Sequence, residues 1–143
     1  MSDASILDKL GVTEWLKENV ESVLNAPWIS DAPFAEFKRD ASHVDLGITG
    51  CQVAVAETGT LILTNAERNR LMSLLPPIHV VVFTPSELVG DAGQALERAR
   101  TDMNPSIITM ITGPSRTADI EMTLTAGVHG PREVHALLIE DAA

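Results

Sequence analysis

Apolar positions along this chain change their spacing near residue 40. Before it they recur at helical intervals, and after it they gather into short runs separated by polar, turn-forming segments. In the first part Ser2 or Asp3 is suited to cap a short helix that ends at Gly11, and Thr13 to cap a second. Leu16, Val20 and Val23 of that second helix fall at i, i+4 and i+7, which lines one face. The stretch NAPWISDAPF then breaks the pattern with prolines and turn formers, so a loop is expected from Asn25 to Pro33.

The second part reads as strands joined by short helices. CQVAVAETGTLILT contains two β-rich runs, Gln52–Ala56 and Thr60–Thr64, joined at Glu57-Thr58-Gly59, where the glycine suits a tight connection. NAERNRLMSLLPP predicts a short helix capped near Asn65 and stopped by Pro76 and Pro77. IHVVVFT is a continuous apolar run of strand length, as expected for a strand covered on both faces. SELVGDAGQALERAR predicts a helix whose start Gly90 and Gly93 delay to about Asp91. SIITMIT and HALLIED are two further buried-strand runs, the first closed by a Gly-Pro turn.

This order predicts an α/β fold: a mainly parallel sheet with flanking helices, one hairpin-like pair, and a short helical N-terminal arm. The arm covers residues 1–40 and the α/β unit residues 41–143, within a single domain overall, as a length of 143 residues favours.

Composition narrows the function. Apolar residues make up 45% of the chain and charged residues 21%, which is ordinary for a globular protein. No apolar run approaches the ~20 residues of a membrane-spanning helix. The N-terminus has no basic segment followed by an apolar one, so it does not read as a secretory signal. The single cysteine, Cys51, excludes an internal disulfide and a Cys-ligated iron–sulfur cluster within this sequence. Together these point to the cytoplasm. A net charge of −10 argues against nucleic acid, which is gripped by clustered Lys and Arg.

Familiar motifs are absent. There is no G-x-G-x-x-G and no G-x-x-x-x-G-K-[ST], and the G-x-x-G spacings at 47/50, 90/93 and 127/130 are too common to carry weight. His43, His79, His129 and His135 form no H-x-x-x-H pair on an expected helix, so no metal site is expected. His79 opens an apolar strand and reads as a satisfied structural histidine.

Three constellations remain. In ITGPSRTADIE a strand ends at Thr112, Gly113 and Pro114 turn the chain, and Ser115, Arg116 and Thr117 follow, with Asp119-Ile120-Glu121 as the first turn of a helix. Backbone donors at a helix start, short hydroxyls and a guanidinium fork are what an anion requires. The alternative is a helix cap, with Arg116 paired to Asp119 or Glu121. In GVHGPRE a turn encloses His129, Gly130 and Arg132, where an imidazole beside a guanidinium could orient a small acid and move its proton. An ordinary exposed loop explains the same residues. Glu57, between two strand runs, is either a hairpin tip or a pocketed base or nucleophile.

The blocks GITG, AVAETGTLIL, SLLPPIHVVV, ITGPSRTADIE, GVHGPREVH and LLIED, in that order, resemble the LUD-domain family from about Leu46 to Asp141. The resemblance implies a fold similar to the sugar-phosphate isomerase and CoA-transferase superfold. It implies a cluster-free subunit of a bacterial system oxidising L-lactate to pyruvate, with iron–sulfur clusters carried only by partner subunits and no cofactor in this chain. By the same resemblance, Thr58, Gly59, Gly113, Ser115, Arg116, Thr117, Asp119, Gly130 and Arg132 would hold a small organic anion, with Glu57 and His129 as candidate catalytic groups. A non-catalytic assembly module for the iron–sulfur subunits, and an acyl-transferring enzyme using Glu57, are the alternatives. Association with further copies of the chain is left open.

Overall fold

The computed structural model describes residues 4–20, 34–64, 67–103, 107–118, 124–127 and 129–140. Two short helices, α1 (Ala4–Lys9) and α2 (Val12–Asn19), begin the chain. Gly11 reverses it between them in a left-handed conformation at φ 67°, and its N–H donates to Asp8 O at 3.1 Å. Gly11 therefore takes the N-cap position expected for Thr13, whose hydroxyl instead donates back to Asp8 Oδ1 at 2.9 Å. The expected apolar stripe is cut short because α2 ends at Asn19: Val20 is extended and exposed, and Val23 lies outside the described residues.

A further helix, α3 (Phe34–Ala41), packs on α4 (Glu67–Leu74). Phe37 and Ala41, spaced i and i+4, are buried against Met72, with Val44, Leu71 and Leu75 around them. The proline stop after α4 is as expected, and Asn65, its expected cap, lies outside the described residues.

The strands divide into two sheets and a hairpin. The first sheet is parallel throughout, in the order β1 (Leu46–Gly50), β4 (Ile78–Phe83), β9 (Glu133–Leu138). The second runs β5 (Leu88–Val89), β2 (Val53–Val55), β3 (Thr60–Thr64), β6 (Ile108–Ile111), with β2–β5 parallel and the other pairs antiparallel. The hairpin joins β7 (Arg116–Ala118) to β8 (Leu124–Ala126). The α/β reading with a parallel sheet and flanking helices is thus what the chain adopts.

Alternation along β2 and β3 divides the core. Ala54, Leu61 and Leu63 face Val81 and Phe83 of the other sheet, with Cys51, Ile111 and Val134 beside them. Val53, Val55 and Ile62 face the opposite way, onto Ala95 and Ala99 of α5 (Ala92–Met103). The two alanines let the helix lie close to the strands. Ile62 has no exposed surface, a burial worth about 1.5–3 kcal/mol. Two runs read as fully buried are less so: β6 is partly covered, and most of β9 is exposed, because each closes the edge of its sheet.

Helix α5 starts where the glycines place it. Asp91 Oδ1 accepts the Gln94 N–H at 2.9 Å, satisfying one of the orphan donors of the first turn. Asp91→Ala should therefore cost about 1 kcal/mol, read as a drop of a few degrees in the thermal midpoint.

Candidate functional site

The antiparallel register of β3 and β6 brings two of the sequence constellations to one end of a sheet. Leu61 pairs with Ile111, so Thr60 lies beside Thr112. The Thr60 hydroxyl is 2.8 Å from Thr112 Oγ1 and 2.6 Å from Thr58 Oγ1. Thr60 is buried, and these two exposed neighbours satisfy its hydroxyl. The line Thr58–Thr60–Thr112 thus ties the turn after β2 to the turn after β6. Gly59 and Gly113, at φ 67° and 81°, take the left-handed conformations these reversals require.

Ser115 then locks the second turn to the third. Its N–H donates to Pro131 O at 2.8 Å, its carbonyl accepts the Gly127 N–H at 3.0 Å, and its Oγ accepts the His129 N–H at 3.4 Å. Gly130 backs onto it closely: a Cβ there would lie 3.3 Å from Ser115 Cβ. The Arg132 side chain lies over Gly127, where any Cβ would collide with its Cγ. Beyond the turn, the Arg132 and Glu133 N–H groups both donate to Pro77 O, at 2.8 and 3.2 Å, anchoring the loop to the start of β4.

One reading is overturned, that of Ser115 as a helix cap. Arg116 to Ala118 form β7, with Arg116 opposite Ala126 and Thr117 opposite Thr125, so a strand follows Ser115 directly. The helix turn expected at Asp119, Ile120 and Glu121 falls outside the described residues. The hairpin supplies a different juxtaposition: Arg116 sits beside Ala126, and Arg132 packs on the next residue, Gly127. The two arginines so flank the exit of β8, and Ser115 and His129 are tied to the same turn.

The side chains of Arg116, His129 and Arg132 are exposed, and none is hydrogen-bonded or ion-paired to a described residue. In a chain of net charge −10, two exposed guanidinium groups thus lie on residues bordering the turn that also carries Ser115 and His129. Glu57 stands apart from them. It is exposed in the turn Ala56–Gly59, and its N–H donates to Gly90 O at 3.2 Å, on the β5 side of the sheet. Strand β3 separates it from β6, so at ~5 Å per strand it is on the order of 10 Å from the Gly113 turn.

Four residues of this region are not among the candidates named from sequence. The carbonyls of Pro131 and Pro77 receive the anchoring bonds, and Thr60 and Thr112 carry the hydroxyl line. Thr60 sits inside the AETGT block, the only signal that pointed near it. Away from the site, His79 is fully buried, with Nε2 2.9 Å from Thr49 Oγ1 and Nδ1 without a hydrogen-bond partner. It is only half satisfied. Among the described residues, no group of three or more His, Cys, Asp or Glu side chains is placed to hold a metal ion, and no helix is long and apolar enough to cross a membrane.

The model of the LUD domain family matches residues 2–139, reaching back past Leu46 into the N-terminal helices. An uncharacterized protein of Neisseria meningitidis serogroup B is 40% identical over 101 residues, covering 68% of this chain and 43% of that protein. The lactate utilization protein C of Bacillus subtilis is 34% identical over 137 residues, covering 85% of this chain and 57% of that protein. That of Anoxybacillus flavithermus is 39% identical over 102 residues, covering 71% and 46%. The chain spans about half the length of the curated relatives it matches. A crystal structure of a DUF162 family protein from Deinococcus radiodurans superimposes with a TM-score of 0.53 at 22% identity, over 96% of this chain and 98% of that one, a likeness of fold.

Proposed function

The chain belongs to the LUD domain family, and on that footing we propose that it serves lactate utilization by holding a small organic anion between Ser115, Arg116, His129 and Arg132. Relatives called lactate utilization protein C supply the process. The observation that carries the site is the triple anchorage of Ser115 to Gly127, His129 and Pro131, which fixes a hydroxyl among three exposed groups that can donate hydrogen bonds.

A carboxylate at this end of the molecule would meet a guanidinium fork from Arg132 or Arg116 and a hydroxyl donor from Ser115. The His129 imidazole is the group beside it able to take a proton from a substrate hydroxyl. Such an oxidation would need an acceptor for two electrons, and the resemblance to the LUD-domain family implies partner subunits carrying iron–sulfur clusters in that role, since the single Cys51 leaves this sequence without the thiolates for a cluster. Exposed at its turn and a strand away, Glu57 gives little support to the acyl-transfer alternative.

Isothermal titration calorimetry with L-lactate, pyruvate and phosphate tests the reading. Wild-type chain should bind at least one of the two organic acids. Arg132→Ala should weaken that binding about tenfold or more, the worth of a charge-assisted hydrogen bond. Ser115→Ala should weaken it less. Absence of binding to all three probes would refute the site.

A further inference from the structure

We infer that Thr112 is a further donor to the bound carboxylate, and that buried Thr60 is the positioning residue that turns the Thr112 proton outward. The inference rests on the anion reading of Ser115, Arg116, His129 and Arg132, and adds to it a hydroxyl from the turn where β6 ends. Thr112 follows the last residue of β6 and stands three residues before Ser115, with Gly113 reversing the chain between them at φ 81°.

All five residues of β3 are buried, and Thr60 is 4% exposed. A valine would fill the same space, and a hydroxyl buried there is costly unless it is hydrogen-bonded. Packing alone therefore does not call for threonine. What the hydroxyl does is join two turns, 2.6 Å from Thr58 Oγ1 on one side and 2.8 Å from Thr112 Oγ1 on the other. The β3–β6 ladder ends at Leu61↔Ile111, so this side-chain bond carries the pairing one step further, to the residue at which the chain turns.

Counting protons gives the line a direction. Each hydroxyl has one proton, and the two bonds between the three use two of them. Thr60 must donate to one neighbour and accept from the other, because accepting from both would strand its own proton in the interior. The proton left over then sits at an exposed end, on Thr112 or on Thr58. Thr58 Oγ1 already accepts the Thr60 N–H at 3.3 Å. With Thr58 donating to Thr60 and Thr60 to Thr112, Thr58 spends its proton inward and Thr112 presents its own to the outside. Thr112 Oγ1 has no other partner among the described residues. A carboxylate at this end selects that direction, since the reverse would meet it with oxygen lone pairs.

Calorimetry of the full chain with L-lactate and pyruvate tests the inference, with circular dichroism confirming the fold of each variant. Thr112→Val should weaken binding about tenfold, the worth of a hydrogen bond to a charged group. Thr60→Val should weaken it about threefold, because the Thr112 hydroxyl then spreads over three rotamers, and Thr60→Ser should restore it. Thr58→Val should leave affinity unchanged, because Thr60 still donates to Thr112. If Thr60→Val does not fold, the comparison of Thr58→Val with Thr112→Val, both at exposed positions, carries the test. A line that only straps the two turns together predicts equal losses from those two variants, and that result overturns the inference. Thr112→Val binding as tightly as wild type, while Arg132→Ala weakens binding, overturns it alone. A wild type that binds neither acid overturns the anion reading and this inference with it.

Discussion

Alanine at position 47 should destabilise the fold by about 3 kcal/mol or more, read as a fall in the urea midpoint at unchanged slope. Gly47 lies in β1 opposite His79 of β4, where α4 crosses close to the strand. A Cβ there would overlap the Met72 carbonyl oxygen, with Pro76 Cγ at 3.2 Å and the Met72 carbonyl carbon at 3.3 Å. The obstacle is helix backbone, not the tip of a flexible side chain. Moving α4 away would pull Met72 out of the cluster it shares with Phe37 and Ala41, all three buried. Gly90→Ala is the control, because its Cβ meets only the Gln94 amide, at 3.7 Å. That variant should stay within about 0.5 kcal/mol of wild type. Equal stability of the two variants would show that α4 does not press on β1 as described.

Gly47 also marks where sequence stops informing. Its G-x-x-G spacing carries no weight by itself, because the demand for a glycine comes from a helix some 25 residues further along the chain. Local features were legible wherever the cause was local. The run Thr60–Thr64, the Glu57-Thr58-Gly59 turn and the late start of α5 at Asp91 all follow from neighbouring residues. Which strands pair was not legible: Ile62 and Val81 are equally buried, and period alone cannot assign them to different sheets. Helix α3 was missed although Phe37 and Ala41 carry helical spacing, because only two core contacts distinguish it from a polar loop.

The candidate site divides in the same way. Ser115, Arg116, His129 and Arg132 stood out by residue type. The stretch SRTADIE has a cap residue followed by acidic residues, a sound local signature of a helix start. Pairing of Arg116–Ala118 with Leu124–Ala126 puts a strand, not a helix, directly after Ser115. The contact that matters most, Ser115 against the 127–131 turn, is made largely by backbone groups, which any residue could present. No reading of side-chain chemistry could have located it.

Acid should weaken the fold before any carboxylate is involved, by about 3 kcal/mol between neutrality and pH 4, through His79. Burial lowers the pKa of this imidazole from 6.5 to about 4. Between those values the unfolded chain binds a proton that the folded chain does not, so stability rises with pH across the window. It is complete above about pH 6.5, falls as pH drops toward 4, and changes no further from this source below that. The structural cause is visible in its surroundings. Thr49 satisfies Nε2, Nδ1 has no hydrogen-bond partner, and no anion among the described residues would compensate an imidazolium. Glu87 acts in a lower window. Burial alone would raise its pKa, but hydrogen bonds from the Thr84 hydroxyl and N–H and from Ser86, with the charge of Arg98, bring it below 4.5. Its contribution is therefore lost only as pH falls below that value. Urea midpoints measured from pH 7 to pH 4 separate the two. His79→Leu should flatten the upper part of the profile while lowering stability at pH 7 by about 1–2 kcal/mol, because the Thr49 hydroxyl is left unpaired. If His79→Leu keeps the wild-type slope between pH 6.5 and 4.5, the titrating group lies elsewhere.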